Sequence, residues 1–584
     1  MSSTNLPSNP TSSTLIGNQS DSSRYYDSTN QEKTGVDLEH NAADAPRAAS
    51  KSQARSGQMK ALFYKEGPLR PFRLLKTDFK NRFPIYLTDW SFNQLVFASA
   101  VFVFFTNLLP GITFASDLYT LTGRSYGAIE VVFSTGLCGV IFALFSAQPL
   151  TILGVTGPFC ILAERIHVLC VDNFKIDYMP FMAWACIHAM WMHWLLAIFN
   201  AHDWTMRYVT EFSTEMFSLL NSVIYFHKAV MELQRTKAET SQATFLYSII
   251  GCVGTFLVAA VLSTALNWRV FHQYVRMGLA EYAATISIIF FIGMPYVGDL
   301  ASLDHKRLPI PSSFRPTDPT RTTFFIEFWK LPVGWVFAAI IPGLIITTLF
   351  FFDVEVSTIC ATLPRYNLRK PSGFAWDVAL LGCTTALCGI LGLPPANGLL
   401  PQAPLHSESL LHKEKVKNED GTVEVVETVY EQRWSHLLHA VGIFVCVSPP
   451  LMKVLGMTPT SVLAGLFLFM GQQSLCTNPI LYRFFDLLTP SSELPKLPAP
   501  LESRKPIHLY TITQIIITGI VFGVTLTVAA PAFPVIIVAM VPVRLCIMNR
   551  FWSKDVLDHV DAWACRPGEE HSGFPEYRKE KKRQ

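Results

Sequence analysis

Residues 147–159 read AQPLTILGVTGPF and residues 392–406 read GLPPANGLLPQAPLH, and each stretch lies beside or within a long apolar segment. Gly weakens a helix and Pro removes an N–H group, so both stretches predict a break in the helix. A break at membrane depth is tolerated only where protein or a water-filled cavity satisfies the freed polar groups. Two breaks at matching positions in two halves of a chain indicate an inverted-repeat transporter with its binding site between them.

The composition around these breaks indicates lipid as the main solvent. Half of the 584 residues are hydrophobic and only 16% are charged. Uncharged runs recur at lengths that match a hydrocarbon core about 30 Å thick; they lie at 91–110, 245–268, 331–352, 378–405, 454–482 and 509–543. A large soluble enzyme would not need so many such runs. The sequence therefore predicts an all-α polytopic membrane protein.

The apolar segments divide into two sets of seven predicted spans. The first set lies near 91–112, 126–147, 157–170, 178–199, 205–229, 244–267 and 281–298. The second lies near 331–352, 374–393, 398–411, 435–453, 457–476, 508–529 and 531–549. The third member of each set is abnormally short. This pattern predicts fourteen transmembrane segments as 7+7 inverted repeats, with two half-helices that face each other.

Basic residues before the first span and at the end of the chain place both termini in the cytoplasm by the positive-inside rule. The loop 299–330 fits this rule poorly, because the span count puts it outside although it carries Lys306 and Arg307. The polar segments are predicted as a disordered cytoplasmic tail at 1–58, a basic juxtamembrane segment at 59–90, a mobile cytoplasmic loop at 412–433 and a cytoplasmic C-terminal tail at 550–584.

The two breaks also supply candidate ligands. Thr156 and Asn397 can cap the half-helices that we expect to open at Gly157 and Gly398, because a side-chain oxygen at this position accepts a backbone N–H. Facing helix N-termini combine free N–H donors with about half a positive charge each. The sequence therefore predicts an anion site at this point, although a Pro/Gly kink needed only for packing is the alternative for either motif alone.

Two carboxylates lie next to the run 331–352. An acid inside the membrane is costly and marks a functional candidate, so Asp353 and Glu355 are both considered. Two positions on a helix are about 200° apart, so the two acids cannot face one cavity. Asp353 is our choice for the cavity and Glu355 is its rival; at the cytoplasmic interface both would simply be solvated. Asn107 is a further candidate, because its place in the first span corresponds to the Asp353 region.

Other functions have little support in the sequence. No metal cluster, nucleophile with a base, or phosphate loop is present, so we expect neither an enzyme nor a metal or cofactor. The net charge of +3 gives no reason to expect nucleic acid as a partner. The twelve cysteines have no paired C-x-x-C spacing and are typical of small core residues.

The two breaks and three further stretches resemble the signatures of the bicarbonate transporter/anion-exchanger superfamily. The further stretches are FTNLLPGITFASDL (105–118), RYVTEFSTEMFSLLNSVIY (207–225) and FFFDVEVSTICA (350–361). The resemblance covers about residues 60–550 and implies fourteen helices divided into a core domain (91–200 and 331–453) and a gate domain (201–298 and 454–549). It also implies a homodimer formed through the gates, and alternating access by movement of core against gate.

The same resemblance bears on individual residues. It implies that the acid at Asp353 is tied to substrate or proton movement. Animal chloride/bicarbonate exchangers have an arginine where Gln402 aligns here, and a glutamine suits a polyhydroxylated substrate because it both donates and accepts. The PANGLLPQAPLH form and the short N-terminal region resemble the borate exporters of fungi and plants. The predicted substrate-binding set is Asp353, Glu355, Asn397, Gly398, Gln402, Thr156, Gly157, Phe159 and Asn107.

The expected function is export of borate or boric acid through the lipid bilayer of the plasma membrane. Proton coupling through Asp353 is a hypothesis, and uncoupled transport stays open, as does residence in an internal membrane such as the vacuole. Bicarbonate/chloride exchange is the alternative within the same class. A membrane scaffold or receptor that does not transport is the alternative from another class.

Overall fold

The computed structural model describes residues 69–561, with short gaps at 207–208, 304, 306, 308–312, 364–365, 401, 418–422, 477, 491, 495–496, 498–500, 502, 528 and 530–532. The predicted tail 1–58, the first part of the juxtamembrane segment and residues 562–584 lie outside the described residues.

Helices make up most of the described chain. In the first half they are α1 (Arg73–Arg82), α2 (Gln94–Leu121), α3 (Ala128–Phe145), α4 (Gly157–Val168), α5 (Tyr178–Ile198), α6 (Ala201–Thr205), α7 (Glu211–Glu239), α8 (Gln242–Ser263), α9 (Gln273–Glu281) and α10 (Ala283–Gly293). In the second half they are α11 (Val333–Ala338), α12 (Ile340–Ala361), α13 (Phe374–Ile390), α14 (Gln402–Ser409), α15 (Trp434–Val445), α16 (Pro449–Leu455), α17 (Thr460–Cys476), α18 (Pro479–Leu488), α19 (Lys505–Thr525), α20 (Phe533–Cys546) and α21 (Lys554–Val560).

Six helical segments of the described chain are long and apolar enough to cross a membrane alone: α2, α3, α5, α8, the run Val333–Ala361 and α19. Two bent pairs, α9 with α10 and α15 with α16, raise this number to eight if each pair is one span. The other predicted spans also coincide with helices, but these are shorter or more polar. The protein is thus an all-helical polytopic membrane protein with broken helices, and its described residues contain six to eight candidate spans.

Three helices extend past the predicted end of their span, because polar residues end the apolar run but not the helix. α2 continues to Leu121, α7 to Glu239 and α12 to Ala361. Asp353 therefore lies well inside α12, and the Asp353 and Glu355 side chains are both 1% exposed. The alternative that both acids are solvated at an interface is wrong in this structure.

The second half-helix differs from its prediction. It begins at Gln402 and ends at Ser409, whereas Asn397 and Gly398 form the short strand β2 (Asn397–Gly398). β2 pairs antiparallel with β1 (Leu153–Gly154), just before the first half-helix. Asn397 is therefore not the cap of the second half-helix. Pairing with the other break satisfies its backbone, a long-range contact that no local pattern reports.

The polar stretch 412–433 contains secondary structure that was not predicted. Strands β3 (Leu411–Lys417) and β4 (Val423–Val429) pair antiparallel, with Leu411 opposite Val429 and Lys417 opposite Val423. β4 reads VEVVETV, and a run this rich in β-branched Val and Thr is typical of a strand. The predicted loop therefore contains a β-hairpin, which the sequence analysis did not anticipate.

The juxtamembrane segment is tied to the helices by a buried carboxylate. Asp89 is fully buried and pairs with Arg82 at 2.8 Å, Lys370 at 2.6 Å and Arg433 at 3.0 Å. Arg433 also donates to the carbonyls of Ala143 and Ser146 at the end of α3. Arg82, one of the basic residues that precede the first predicted span, is thus part of the packed structure.

The helices pack in two groups. Group I contains α2–α5 and α12–α15, with close packing of α13 on α5 and of α15 on α3. Group II contains α7, α8, α10, α17, α19 and α20, with close packing of α17 on α7 and α8. The groups meet mainly where α2 contacts α17, α12 contacts α20 and α4 contacts α7. Both broken helices belong to group I, beside its boundary with group II.

Candidate functional site

The two breaks meet in the strand pair β1–β2. Leu153 lies opposite Gly398 and Gly154 opposite Asn397, and the Leu399 N–H donates to the Ile152 carbonyl at 2.9 Å. The pair is buried throughout. Each break thus supplies the hydrogen bonds that the other lacks, which meets the requirement for irregular backbone inside a membrane protein.

Gly398 allows helix α12 to approach this pair closely. A Cβ atom at Gly398 would lie 2.7 Å from the Val354 Cα atom and 3.1 Å from the Asp353 carbonyl oxygen. Backbone atoms cannot withdraw as a flexible side chain can, so only glycine fits here. The close approach brings Asp353 beside β2.

Asp353 accepts one side-chain hydrogen bond from the described residues. Its Oδ2 atom accepts from the Asn397 Nδ2 atom at 2.8 Å, and the Asn397 Oδ1 atom accepts from the Gly398 N–H at 2.8 Å. The buried Oδ1 atom of Asp353 has no hydrogen-bond partner among the described residues. Asn397, predicted as a helix cap, instead positions the carboxyl group. One carboxyl oxygen is left for a ligand or a proton.

Asn107 contacts the strand pair from the other side. Its Nδ2 atom donates to the Leu153 carbonyl at 2.9 Å, and its Oδ1 atom lies against Gly154. Asn107 on α2 thus contacts β1, while Asp353 on α12 contacts β2 through Asn397. The two residues have corresponding places on opposite sides of the pair.

The ends of the half-helices complete the surroundings. Thr156 caps α4, since its Oγ1 atom accepts from the Phe159 N–H at 3.4 Å, and Gly157 lies against the Phe114 ring. Gln402 opens α14 and donates from Nε2 to the Thr106 carbonyl at 3.2 Å, while its buried Oε1 atom has no partner among the described residues. The structure therefore places a second unused acceptor near the strand pair.

Two of the predicted substrate-binding residues do not contact the strand pair. The Phe159 side chain is fully buried and packs edge-on against Phe350, with ring centroids 5.9 Å apart. Glu355 points away from Asp353, and its Oε2 atom is 2.8 Å from the Nδ1 atom of His202. The His202 ring stacks on Phe374 at 3.9 Å. Glu355 thus binds the segment between α5 and α7 and not the strand pair.

Residues that the sequence reasoning did not select also contribute. Tyr225 on α7 lies within electrostatic range of Asp353 and against the Phe114 ring, so group II also borders the site. The Ser357 hydroxyl donates to the Leu399 carbonyl at 3.0 Å. Both lie in stretches that the sequence marks, but helical position alone does not show which side chains turn toward β2.

The site combines half-helix N-termini with side-chain acceptors. Among the described residues, Asp353 makes no ion pair, and no group of three or more His, Cys, Asp or Glu side chains could hold a metal ion. This chemistry suits reversible binding of a small polar solute. A buried site between broken helices of a polytopic membrane protein is the arrangement of a membrane transporter.

Comparison with known proteins identifies the family. The model described as HCO3- transporter integral membrane domain matches residues 70–242 and 233–564. A putative transporter of Schizosaccharomyces pombe is 36% identical over 83% of this chain and 94% of its own length. Boron transporter 1 of Saccharomyces cerevisiae is 34% identical over 82% of this chain and 83% of its own. The chain belongs to the bicarbonate transporter family and is an anion transporter.

A solved structure supports the fold at low sequence identity. Murine solute carrier 26 family member A9, an anion transporter in the inward-facing state, aligns with a TM-score of 0.52 and 11% identity. The alignment covers 87% of this chain and 77% of that chain. The arrangement of helices is therefore shared with an anion transporter of a different solute carrier family.

Proposed function

We propose that the protein exports borate or boric acid from the cell. The observation that carries this proposal is the pair of buried acceptors, Asp353 Oδ1 and Gln402 Oε1, that have no donor among the described residues. Acceptors without donors favour a substrate that brings its own hydroxyl hydrogens. Borate and boric acid do so, whereas chloride has no hydrogen to donate.

The half-helices supply the complementary interaction. Borate carries one negative charge and four hydroxyl groups, so it can accept from the N–H groups at the starts of α4 and α14 while it donates to side chains. A fixed cation at Gln402 would favour a bare anion, and a glutamine removes that preference. The yeast relative named boron transporter 1 supports the same substrate class.

The proposed mechanism is an elevator-like movement of a core domain against a gate domain. The tight packing within group I and within group II, with fewer contacts between them, supports this division. Asn107 and Asp353 on opposite sides of the strand pair support two inverted sets of seven segments. Asp353 is the proposed proton carrier, since it lies at the site with one oxygen free. We further propose a homodimer through the gates, in the plasma membrane, with both termini cytoplasmic.

Purified protein in liposomes tests the function directly. Boron flux is measured with and without a pH gradient, and chloride and bicarbonate fluxes are measured on the same preparation. We expect boron flux to increase when a proton gradient is imposed in the direction opposite to the flux. Brisk chloride exchange without boron flux would contradict the proposal and support the bicarbonate/chloride alternative, while no flux of any solute would support a scaffold.

A further inference from the structure

A buried cluster of four charged side chains joins the two helix groups away from the strand pair. Asp117 on α2 pairs with Lys228 on α7, 2.8 Å from Oδ2 to Nζ, and with Arg235, 3.0 Å from Oδ1 to Nη1. Arg235 also pairs with Glu232 at 3.1 Å. Asp117, Lys228 and Glu232 are each no more than 6% exposed. Removing one partner of a buried pair strongly destabilises a protein, because the other charge is left buried without compensation.

The two helix groups contribute opposite net charges to this cluster. Among the described residues, group I contributes carboxylates to this cluster, Asp117 and the nearby Glu164 of α4. Group II supplies Lys228, Arg235 and Glu232, a net charge of one positive unit from two cations and one acid. Moving group I away from group II therefore separates opposite charges. The cluster holds together the two groups whose relative movement the proposed function requires.

The cluster also lies next to the proposed transport path. Lys228 is three residues, about one helical turn, beyond Tyr225, which borders Asp353. The Cys160 thiol, in the first turn of the half-helix α4, is fully buried and within electrostatic range of both Lys228 and Asp117. In the predicted topology α2 and α7 both run outward, so the cluster lies on the outer side of the site.

We propose that Asp117, Lys228 and Arg235 form the outer gate of the transport path, and that release of substrate to the outside requires Asp117 to separate from the two cations. This inference rests on the proposed function, because it assumes that group I moves against group II. Separation leaves Lys228 and Arg235 facing the path. These cations then attract an anionic substrate as it leaves.

Cys160 provides a native reporter for this gate. Intact cells that express the full chain are treated with a membrane-impermeant thiol reagent, and modification at Cys160 is read by peptide mass spectrometry. We expect Asp117→Asn to raise the modification rate about tenfold or more, since tenfold corresponds to only about 1.4 kcal/mol and removal of one partner of a buried ion pair is more destabilising than that. Asp117→Glu keeps the charge and should stay close to the wild-type rate.

Two controls separate opening of the gate from damage to the fold. Glu215→Gln breaks a buried pair between α7 and Arg483 of α18, a helix that packs on α7 and α19 of group II, so it should leave Cys160 protected. Cys252, fully buried in α8, should stay unmodified in every variant, because its modification would indicate unfolding. Protection of Cys160 in folded Asp117→Asn at the wild-type level would overturn the gate. Boron flux in liposomes is scored separately, so failure of the function and failure of the gate are distinguishable.

Discussion

At the scale of single residues, two acids only two positions apart make unrelated contacts. Asp353 is held by Asn397 beside the strand pair, whereas Glu355 contacts His202 on the opposite side of α12. The helical period predicts this divergence, because it allows only one of the two acids to face the cavity. The period cannot say that Asn397 is the partner, because Asn397 approaches from a distant stretch of chain.

Replacing Asp353 by Asn tests the role of its charge and proton. An asparagine oxygen can still accept from Asn397, so the local structure should survive, but no proton can be exchanged. We expect boron flux in liposomes to fall at least about tenfold, since a hydrogen bond to a charged group is worth about 1.5–3 kcal/mol, and its response to a pH gradient to disappear. Glu355→Gln is the matched control and should retain most of the flux. Normal transport by Asp353→Asn would show that this acid carries neither substrate nor proton.

Gln402 provides a second test, aimed at selectivity. Gln402→Arg would place a fixed positive charge where Nε2 now donates to the Thr106 carbonyl, and a guanidinium has no acceptor for a hydroxyl hydrogen. We expect chloride flux to rise and boron flux to fall in the same liposomes. Gln402→Met, which is similar in size and uncharged, should lower boron flux without raising chloride flux. An unchanged ratio of chloride flux to boron flux in Gln402→Arg would show that this side chain does not determine selectivity.

At the scale of elements, the sequence predicts helices well and predicts their breaks only in part. Proline and glycine locate both breaks, and Thr156 caps α4 as expected. The start of α14 at Gln402 was missed, because β1 takes over the hydrogen bonds that a helix at Asn397 would otherwise make. Such pairing joins residues more than two hundred positions apart, so no local pattern shows it.

The close approach of α12 to β2 is testable at Gly398. In Gly398→Ala the added methyl group would meet the Val354 backbone at 2.7 Å. Overpacking of this kind costs about 1–3 kcal/mol, so we expect a lower apparent melting temperature in detergent and impaired boron flux. Gly519→Ala in α19 is the control, because no atom lies within 4 Å of its added Cβ. Equal melting temperatures for the two variants would mean that α12 can shift away from the added methyl group at little cost in stability.

Helix α1 makes a pH-dependent contact with α13. Burial raises the pKa of Asp78 to about 7, and Asp377 adds to the shift, although the Trp376 N–H donates to the carboxyl group. A folded-state pKa above the unfolded value means that this group favours the folded state most at low pH. Its stabilising effect falls as the pH rises from about 4 to about 7.

Removing this ionisation should flatten the pH dependence of stability. Asp78→Asn keeps an acceptor for Trp376 and loses the charge, so it should be more stable than the wild type at pH 8 by on the order of 2 kcal/mol. The check is apparent melting temperature against pH in detergent. Asp555→Asn, an exposed acid on α21, should follow the wild-type curve. If the melting temperature of Asp78→Asn changed with pH as that of the wild type does, other buried acids would be responsible for the pH dependence.

At the scale of the whole molecule, the division into two helix groups is the basis of the proposed transport cycle. The groups touch through aromatic side chains near the site, where the Phe114 ring of α2 lies 5.5 Å from the Phe467 ring of α17. Within group I, the Tyr126 and Tyr178 rings lie 5.9 Å apart and would not separate in an elevator movement. These two contacts distinguish movement between groups from movement within one group.

A covalent link across the boundary should therefore stop transport. In the double variant Phe114→Cys/Phe467→Cys, a short bifunctional thiol reagent would fix group I to group II, and we expect boron flux to fall to background after linking. The same variant before linking gives the reference rate, since both substitutions remove packing next to the site. Tyr126→Cys/Tyr178→Cys treated with the same reagent controls for modification of native cysteines and should keep its own unlinked rate. If the linked Phe114/Phe467 variant still transports at its unlinked rate, the substrate crosses without relative movement of the two groups, and the elevator mechanism fails.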